Sequence, residues 1–319
     1  AKTTGVITAT ISDNAASTLK GLNASRGTTA NAYSLTVGDS EPTAADLNTI
    51  DGLTSVAVGI GGVSKITGTL DETHTLYANK ANFSGIGNEL VTVTSTVLDA
   101  AKVTELNADT TGMITFSNTI TAFSGDAAQV HALLDLSAAN AGAGDEVSGI
   151  NPTATITVSG DKTDGDIQAT DLEAIEAITS ANNTVLQIDS SAVSLNGTDT
   201  KVRALLVKSK VSSDGTIGVA SPTISGLEGI DIILDNGSNN NTAEAVTLAE
   251  YLGIQDNYNT GKITATLSGT DINTVAKAIA FKSGTSGPRK INSGNALSFA
   301  RLEDATLDAA DLVTLSGMT

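Results

Sequence analysis

Two apolar periods alternate along the chain. Short runs such as Val6-Ile-Thr-Ala-Thr-Ile11, Leu90-Val-Thr-Val-Thr94 and Ala154-Thr-Ile-Thr-Val158 place aliphatic residues against Thr in strict alternation. That is the signature of a strand with one buried face. Each run is followed by a phrase in which apolar residues fall three or four apart, as Leu47 and Ile50 do in Thr43-Ala-Ala-Asp-Leu-Asn-Thr-Ile-Asp-Gly52. That spacing predicts a short amphipathic helix. The phrase returns as Leu98-Asp-Ala-Ala-Lys-Val-Thr-Glu-Leu106, Gly125-Asp-Ala-Ala-Gln-Val-His-Ala-Leu-Leu134, Gln168-Ala-Thr-Asp-Leu-Glu-Ala-Ile175 and Leu307-Asp-Ala-Ala-Asp-Leu-Val-Thr-Leu-Ser-Gly317. Further helices are expected at Asp71–Asn79, Asp199–Val207, Ala243–Leu252 and Asp271–Ala280. Thr43 with Asp46 approximates a capping box.

The expected helix starts near Ala16, Ala44, Glu72, Ala100 and Ala127 lie about 28 residues apart, a solenoid-type period. Helices this short are marginal alone in water. A strand and its helix bury their apolar sides only when neighbouring copies stack on them. Short connections between successive strands through helices favour parallel pairing. The expected fold is therefore mainly β with short helices, a parallel β-solenoid built from ~28-residue strand–helix repeats. It spans 1–319 as one repeat-built domain, divisible into blocks 1–137 and 153–319 joined by a Gly/Ala/Asn-rich insertion at 138–152.

Composition narrows what such a scaffold does. Of 319 residues 40% are hydrophobic but only 3% aromatic, so the core consists of small aliphatics suited to thin, regular layers. A formal net charge of −18 argues against nucleic acid and anionic membrane surfaces, both of which require a basic face. There is no Cys, which removes disulfides, thiolate metal sites and Cys nucleophiles; two His leave no His-rich metal site. No apolar run reaches the ~20 residues of a membrane span. The chain opens at Ala1 without a leader, which is read as a leader removed or a segment of something longer. Thr, Ser, Asn, Gly and Ala dominate over Lys, a composition like that of secreted bacterial surface proteins.

The phrases Ile7-Thr-Ala-Thr-Ile-Ser12, Ala44-Ala-Asp-Leu-Asn-Thr-Ile-Asp-Gly52 and Asp308-Ala-Ala-Asp-Leu312 resemble repeats in large extracellular, RTX-like surface and appendage proteins of marine cyanobacteria and their phages. The resemblance implies secretion, a surface or appendage role and no enzymatic activity. It carries over no functional residue.

The candidate chemistry is sparse. Gly59-Ile-Gly-Gly-Val63 lacks the Asp ligands of a calcium-binding nonapeptide and reads as a tight corner. Gly160-Asp-Lys-Thr-Asp-Gly-Asp-Ile-Gln-Ala-Thr-Asp171 approximates an EF-hand loop, with Asp161, Asp164, Asp166 and Asp171 as candidate Ca²⁺ ligands. Its first and third positions, however, hold Gly160 and Lys162, and the competing reading is an acidic loop capping a helix. No Gly-x-Ser-x-Gly is present and no catalytic triad can be specified around His74 or His131.

The leading expectation is a structural subunit of an extracellular filament, sheath or fibre. It would assemble with copies of itself, end to end, through uncapped terminal strands and helices. The alternatives are a Ca²⁺-stabilised adhesin or surface-layer module of a longer secreted protein, meeting other surface components or polysaccharide, and a polysaccharide-active β-solenoid enzyme.

Overall fold

Capping chemistry sets where strands hand over to helices. Asp99 is in the extended region (φ −94°, ψ 118°), and its Oδ1 accepts from the Ala101 and Lys102 amides at 3.0 and 3.3 Å. Asp126 caps the next helix by accepting from Gln129 N at 2.9 Å, and Gln129 Oε1 answers by accepting from Asp126 N at 3.2 Å. Thr69 and Glu72 form a full capping box. At Thr43 only half of the expected box forms: Thr43 Oγ1 accepts from Asp46 N at 3.1 Å, but the Asp46 carboxylate instead takes Lys20 Nζ at 2.7 Å.

The structure, a computed structural model, describes residues 5–23, 30–139, 147–150, 153–181, 184–209, 222–235, 245–255, 262–268 and 296–299. The elements run β1 (Thr8–Thr10), α1 (Ala16–Leu19), β2 (Ala32–Ser34), α2 (Ala44–Asp51), β3 (Val58–Gly59), β4 (Lys65–Gly68) and α3 (Leu70–Ala78). There follow β5 (Phe83–Ser84), β6 (Leu90–Val93), β7 (Val97–Asp99), α4 (Ala100–Asp109), β8 (Ile114–Phe116), β9 (Ala122–Asp126), α5 (Ala127–Ala139) and β10 (Val147–Ser148). Then come β11 (Thr155–Ser159), β12 (Asp166–Gln168), α6 (Ala169–Ser180), β13 (Leu186–Ile188), β14 (Ser194–Gly197) and α7 (Asp199–Ser209). The last are β15 (Ile224–Ser225), β16 (Asp231–Leu234), β17 (Ala245–Thr247), α8 (Leu248–Gln255), β18 (Ile263–Ser268) and β19 (Ala296–Phe299). The helices expected at Asp271–Ala280 and 307–317 lie outside the described residues, as do 140–146 and 151–152 of the expected insertion.

The chain packs as two compact units. One comprises Ala1–Ser124 with Ala132–Ala154, the other Gly125–His131 with Thr155–Thr319. In the first, β4, β6, β8 and β10 form a parallel sheet, and β1–β2, β3–β5 and β7–β9 pair in parallel. In the second, β11–β13–β15 and β12–β14–β16–β18 are parallel, with β17 and β19 added to β18.

Hydrogen bonds tie most segments of the first unit to the next at similar offsets, while β10 joins β8 by a longer step, Val147 opposite Ile114. Thr110 Oγ1 donates to Gly87 O, Ser64 Oγ to Ser40 O and Thr121 Oγ1 to Thr96 O, across 23, 24 and 25 positions. In the second unit comparable links span 28, 30, 31 and 39. The fold is thus mixed α/β with parallel sheets and short helices, and no sheet closes into a barrel among the described residues. Helix contributes more than the mainly-β expectation allowed, because α4–α7 run 10, 13, 12 and 11 residues instead of one or two turns.

Each helix buries one apolar stripe: Ala44, Leu47 and Ile50 in α2, Val103 and Leu106 in α4, Leu172 and Ile175 in α6. Ion pairs link successive helices along their exposed sides, Lys102 to Asp71 at 2.5 Å, His74 to Glu105 at 2.7 Å and Lys201 to Glu173 at 2.9 Å. Exposed pairs of this kind each contribute roughly 0–1 kcal/mol, so they tune the helix stack more than they hold it. No helix among the described residues is long and apolar enough to cross a membrane.

Asn31 shows how the layers are stitched. It is buried; its Oδ1 accepts from Ile7 N at 3.0 Å, its Nδ2 donates to Tyr33 Oη at 2.9 Å, and its carbonyl accepts from Ser55 N at 2.8 Å. The Asn31→Ala substitution keeps the backbone bonds but strands the Ile7 amide and leaves Tyr33 Oη with only its long donation to Asn23 O at 3.4 Å. It is expected to cost about 1–3 kcal/mol in urea denaturation, against about 0.5 or less for Ser17→Ala on the exposed side of α1.

Candidate functional site

In the second unit the chain leaves β11 through Gly160-Asp-Lys-Thr-Asp-Gly165 and re-enters β12 at Asp166. Aspartates shape this loop by bonding their own backbone two residues on. Asp161 Oδ1 accepts from Thr163 N at 2.6 Å, and Asp164 Oδ1 accepts from Asp166 N at 3.1 Å. Two backbone bonds close the loop, Asp161 N to Asp166 O at 3.0 Å and Gly165 N to Asp161 O at 2.8 Å. Gly165 sits at φ +80°, where a side chain is strained, and a Cβ there would meet Val193 Cγ2 at 2.5 Å.

This loop, the start of α6 and the first turn of α5 enclose a cavity of about 310 Å³. Asp126, Asp161, Asp164, Asp166 and Asp171 line it with Thr163 and Gln168, and no cationic side chain joins them. All four aspartates proposed from the sequence therefore reach one cavity. Asp126 is the addition: it serves as the α5 cap, and nothing in its local phrase ties it to a loop so far along the chain.

The carboxylates nonetheless aim at separate partners. Asp166 accepts from Ser194 Oγ through Oδ1 and from Asn196 Nδ2 at 2.6 Å through Oδ2, a consequence of the β12–β14 register that sets Asp166 beside Ser194. Asp171 Oδ1 lies 2.9 Å from His131 Nδ1 on α5. Among the described residues no group of three or more His, Asp or Glu is placed to hold a metal ion. The cavity thus has the charge for a cation, while its carboxylates are divided between turn closure, a strand-to-strand network and the contact with His131.

Elsewhere the polar groups serve packing. Tyr33, Tyr77 and Tyr251 are buried. Glu89 is buried with Oε2 accepting from Tyr77 Oη at 3.1 Å and from the Gly87 and Asn88 amides at 2.8 and 3.1 Å. Burial first, and then the Glu89 charge, pushes the Tyr77 phenol well above its ordinary range. Gly61 and Gly62 form a corner closed by Val63 N donating to Ile60 O at 2.9 Å.

No family model matches this chain, and neither a curated protein nor a solved structure matches it.

The Thr163 amide, and after it the Thr163 hydroxyl, holds the Asp161 carboxyl below its ordinary 3.8. A carboxyl depressed in the folded state adds stability above its unfolded pKa and loses it as pH falls through the lower folded value. Asp161→Asn is therefore expected to lower stability above about pH 4 and to converge on the unsubstituted chain as the pH falls toward 2, measured by urea denaturation from pH 6 to pH 2. Gly165→Ala is expected to cost more than about 1 kcal/mol at every pH in the same series.

Proposed function

We propose that the chain is a structural subunit of an extracellular filament, sheath or fibre, a parallel β-solenoid that stacks on copies of itself and performs no reaction. The observation that carries this reading is the direction of its hydrogen bonding. Among the described residues the registered strand pairs are all parallel, and each joins a segment to a later one, which favours growth by stacking. Such a stack can be extended by any chain offering the same parallel edge. Offsets of 23–25 at three links in the first unit favour a solenoid there, although the step from β8 to β10 is longer. The RTX-like resemblance favours an extracellular setting.

A second reading rests on the aspartate-lined cavity: a Ca²⁺-stabilised adhesin or surface-layer module of a longer protein. Cation binding between Asp126, Asp161, Asp164, Asp166 and Asp171 would relieve the repulsion of five carboxylates around one cavity.

Electron microscopy and light scattering of the purified chain over a concentration series separate these readings. Filaments of uniform width, formed equally in 1 mM Ca²⁺ and in EDTA, are the expected result; a persistent monomer overturns the subunit reading. An EDTA-sensitive melting temperature, abolished in Asp164→Asn/Asp171→Asn, would favour the calcium module.

A further inference from the structure

The two ends of the described chain carry the same pair of strands. Ile7-Thr-Ala-Thr-Ile-Ser12 contains β1, and Ile263-Thr-Ala-Thr-Leu-Ser268 is β18. Their partners match as well: Ala32-Tyr-Ser34 is β2, and Ala296-Leu-Ser298 lies in β19. The register is also the same. Thr8 faces Ala32 and Thr10 faces Ser34; Thr264 faces Ala296 and Thr266 faces Ser298.

The two pairs differ in what covers them. β18 is held on both edges, by β16 and β17 on one and β19 on the other. Ile263 and Leu267 are accordingly 0% exposed. Among the described residues β1 pairs with β2 alone, and Val6 and Ile7 are 50% and 41% exposed. β2 is covered beyond β1, since Asn31 bridges Thr54; β19 pairs with β18 alone among the described residues. Among the described residues, one copy of the pair thus has its outer edge unpaired at its first strand, and the other at its second.

These two edges fit each other. Ile7 O accepts from Ala32 N and Ile11 N donates to Ser34 O, so strand alternation turns the Thr8 and Thr10 backbone groups to the vacant side. No Lys or Pro guards that edge of β1. We infer that the vacant edge of β1 docks on β19 of a second copy of this chain, in parallel, with Thr8 opposite Ala296 and Thr10 opposite Ser298. The register follows from the repeat: what β2 offers its next segment, β19 offers the next copy. The contact joins two different edges, so it can repeat from copy to copy, and a repeat whose rotation does not close gives an open fibre. This rests on the subunit reading above and specifies the face that reading leaves open.

The chain has no Cys, so introduced thiols report contacts cleanly. The full-length Thr8→Cys/Ala296→Cys variant, treated with a short bis-maleimide under assembly conditions, should give a ladder of covalent multimers. Either single variant should give at least tenfold less material beyond dimer. Adding Thr10→Pro, or Thr10→Lys in case the proline disturbs β1, should abolish the ladder while circular dichroism stays unchanged. Assemblies that form without the ladder, or a ladder that survives both Thr10 changes, overturn this docking and leave self-assembly standing. A chain that remains monomeric at every concentration overturns both.

Discussion

A strand of three residues such as β1 cannot hold its own shape in water, and neither can a four-residue helix such as α1. The following segment completes their bonding: Ile11 N donates to Ser34 O at 3.2 Å, and the Ala16 amide donates to Asp39 Oδ2 at 2.5 Å. Parallel hydrogen bonding from one segment to the next is therefore the constraint on which the remainder depends. It fixes register, register decides which side chains face inward, and the inward rows of Leu47, Ile50, Ile66, Leu76, Val91 and Leu106 supply the apolar burial that no segment achieves alone.

The same constraint explains why polar chemistry is dispersed. In a stack with a small-residue core, Asp, Thr and Asn are needed wherever the chain changes direction. Asp99 and Asp126 cap helices, Asp161 and Asp164 close a loop, and Asn31 joins neighbouring strands. The high negative charge is in large part a by-product of this usage. Even in the aspartate-lined cavity each carboxylate other than Asp126's cap is drawn to a turn amide, a strand neighbour or His131, which makes the cavity a feature of the scaffold before it is anything else.

The helix starts were legible because a cap followed by two small residues and an i, i+3 apolar pair is a local signal; Ala16, Ala44, Ala100 and Ala127 begin helices as their phrases predict. The strands β7, β9 and β12 were not. Leu98, Phe123 and Ile167 lie directly against helix phrases, and the strand passes into the helix through an extended cap residue with no intervening turn to mark it. The gathering of Asp161, Asp164, Asp166 and Asp171 could be read from one short stretch, whereas Asp126, Ser194 and Asn196 reach the same place through strand register and helix packing that no local spacing encodes.

In the proposed filament, stacking of parallel strands is the axis of growth, within a chain and from copy to copy. X-ray diffraction from oriented filaments of the purified protein tests that most directly. Strands perpendicular to the filament axis predict a sharp meridional reflection at about 4.8 Å. Filaments that diffract without it, or with that spacing on the equator, would contradict the account.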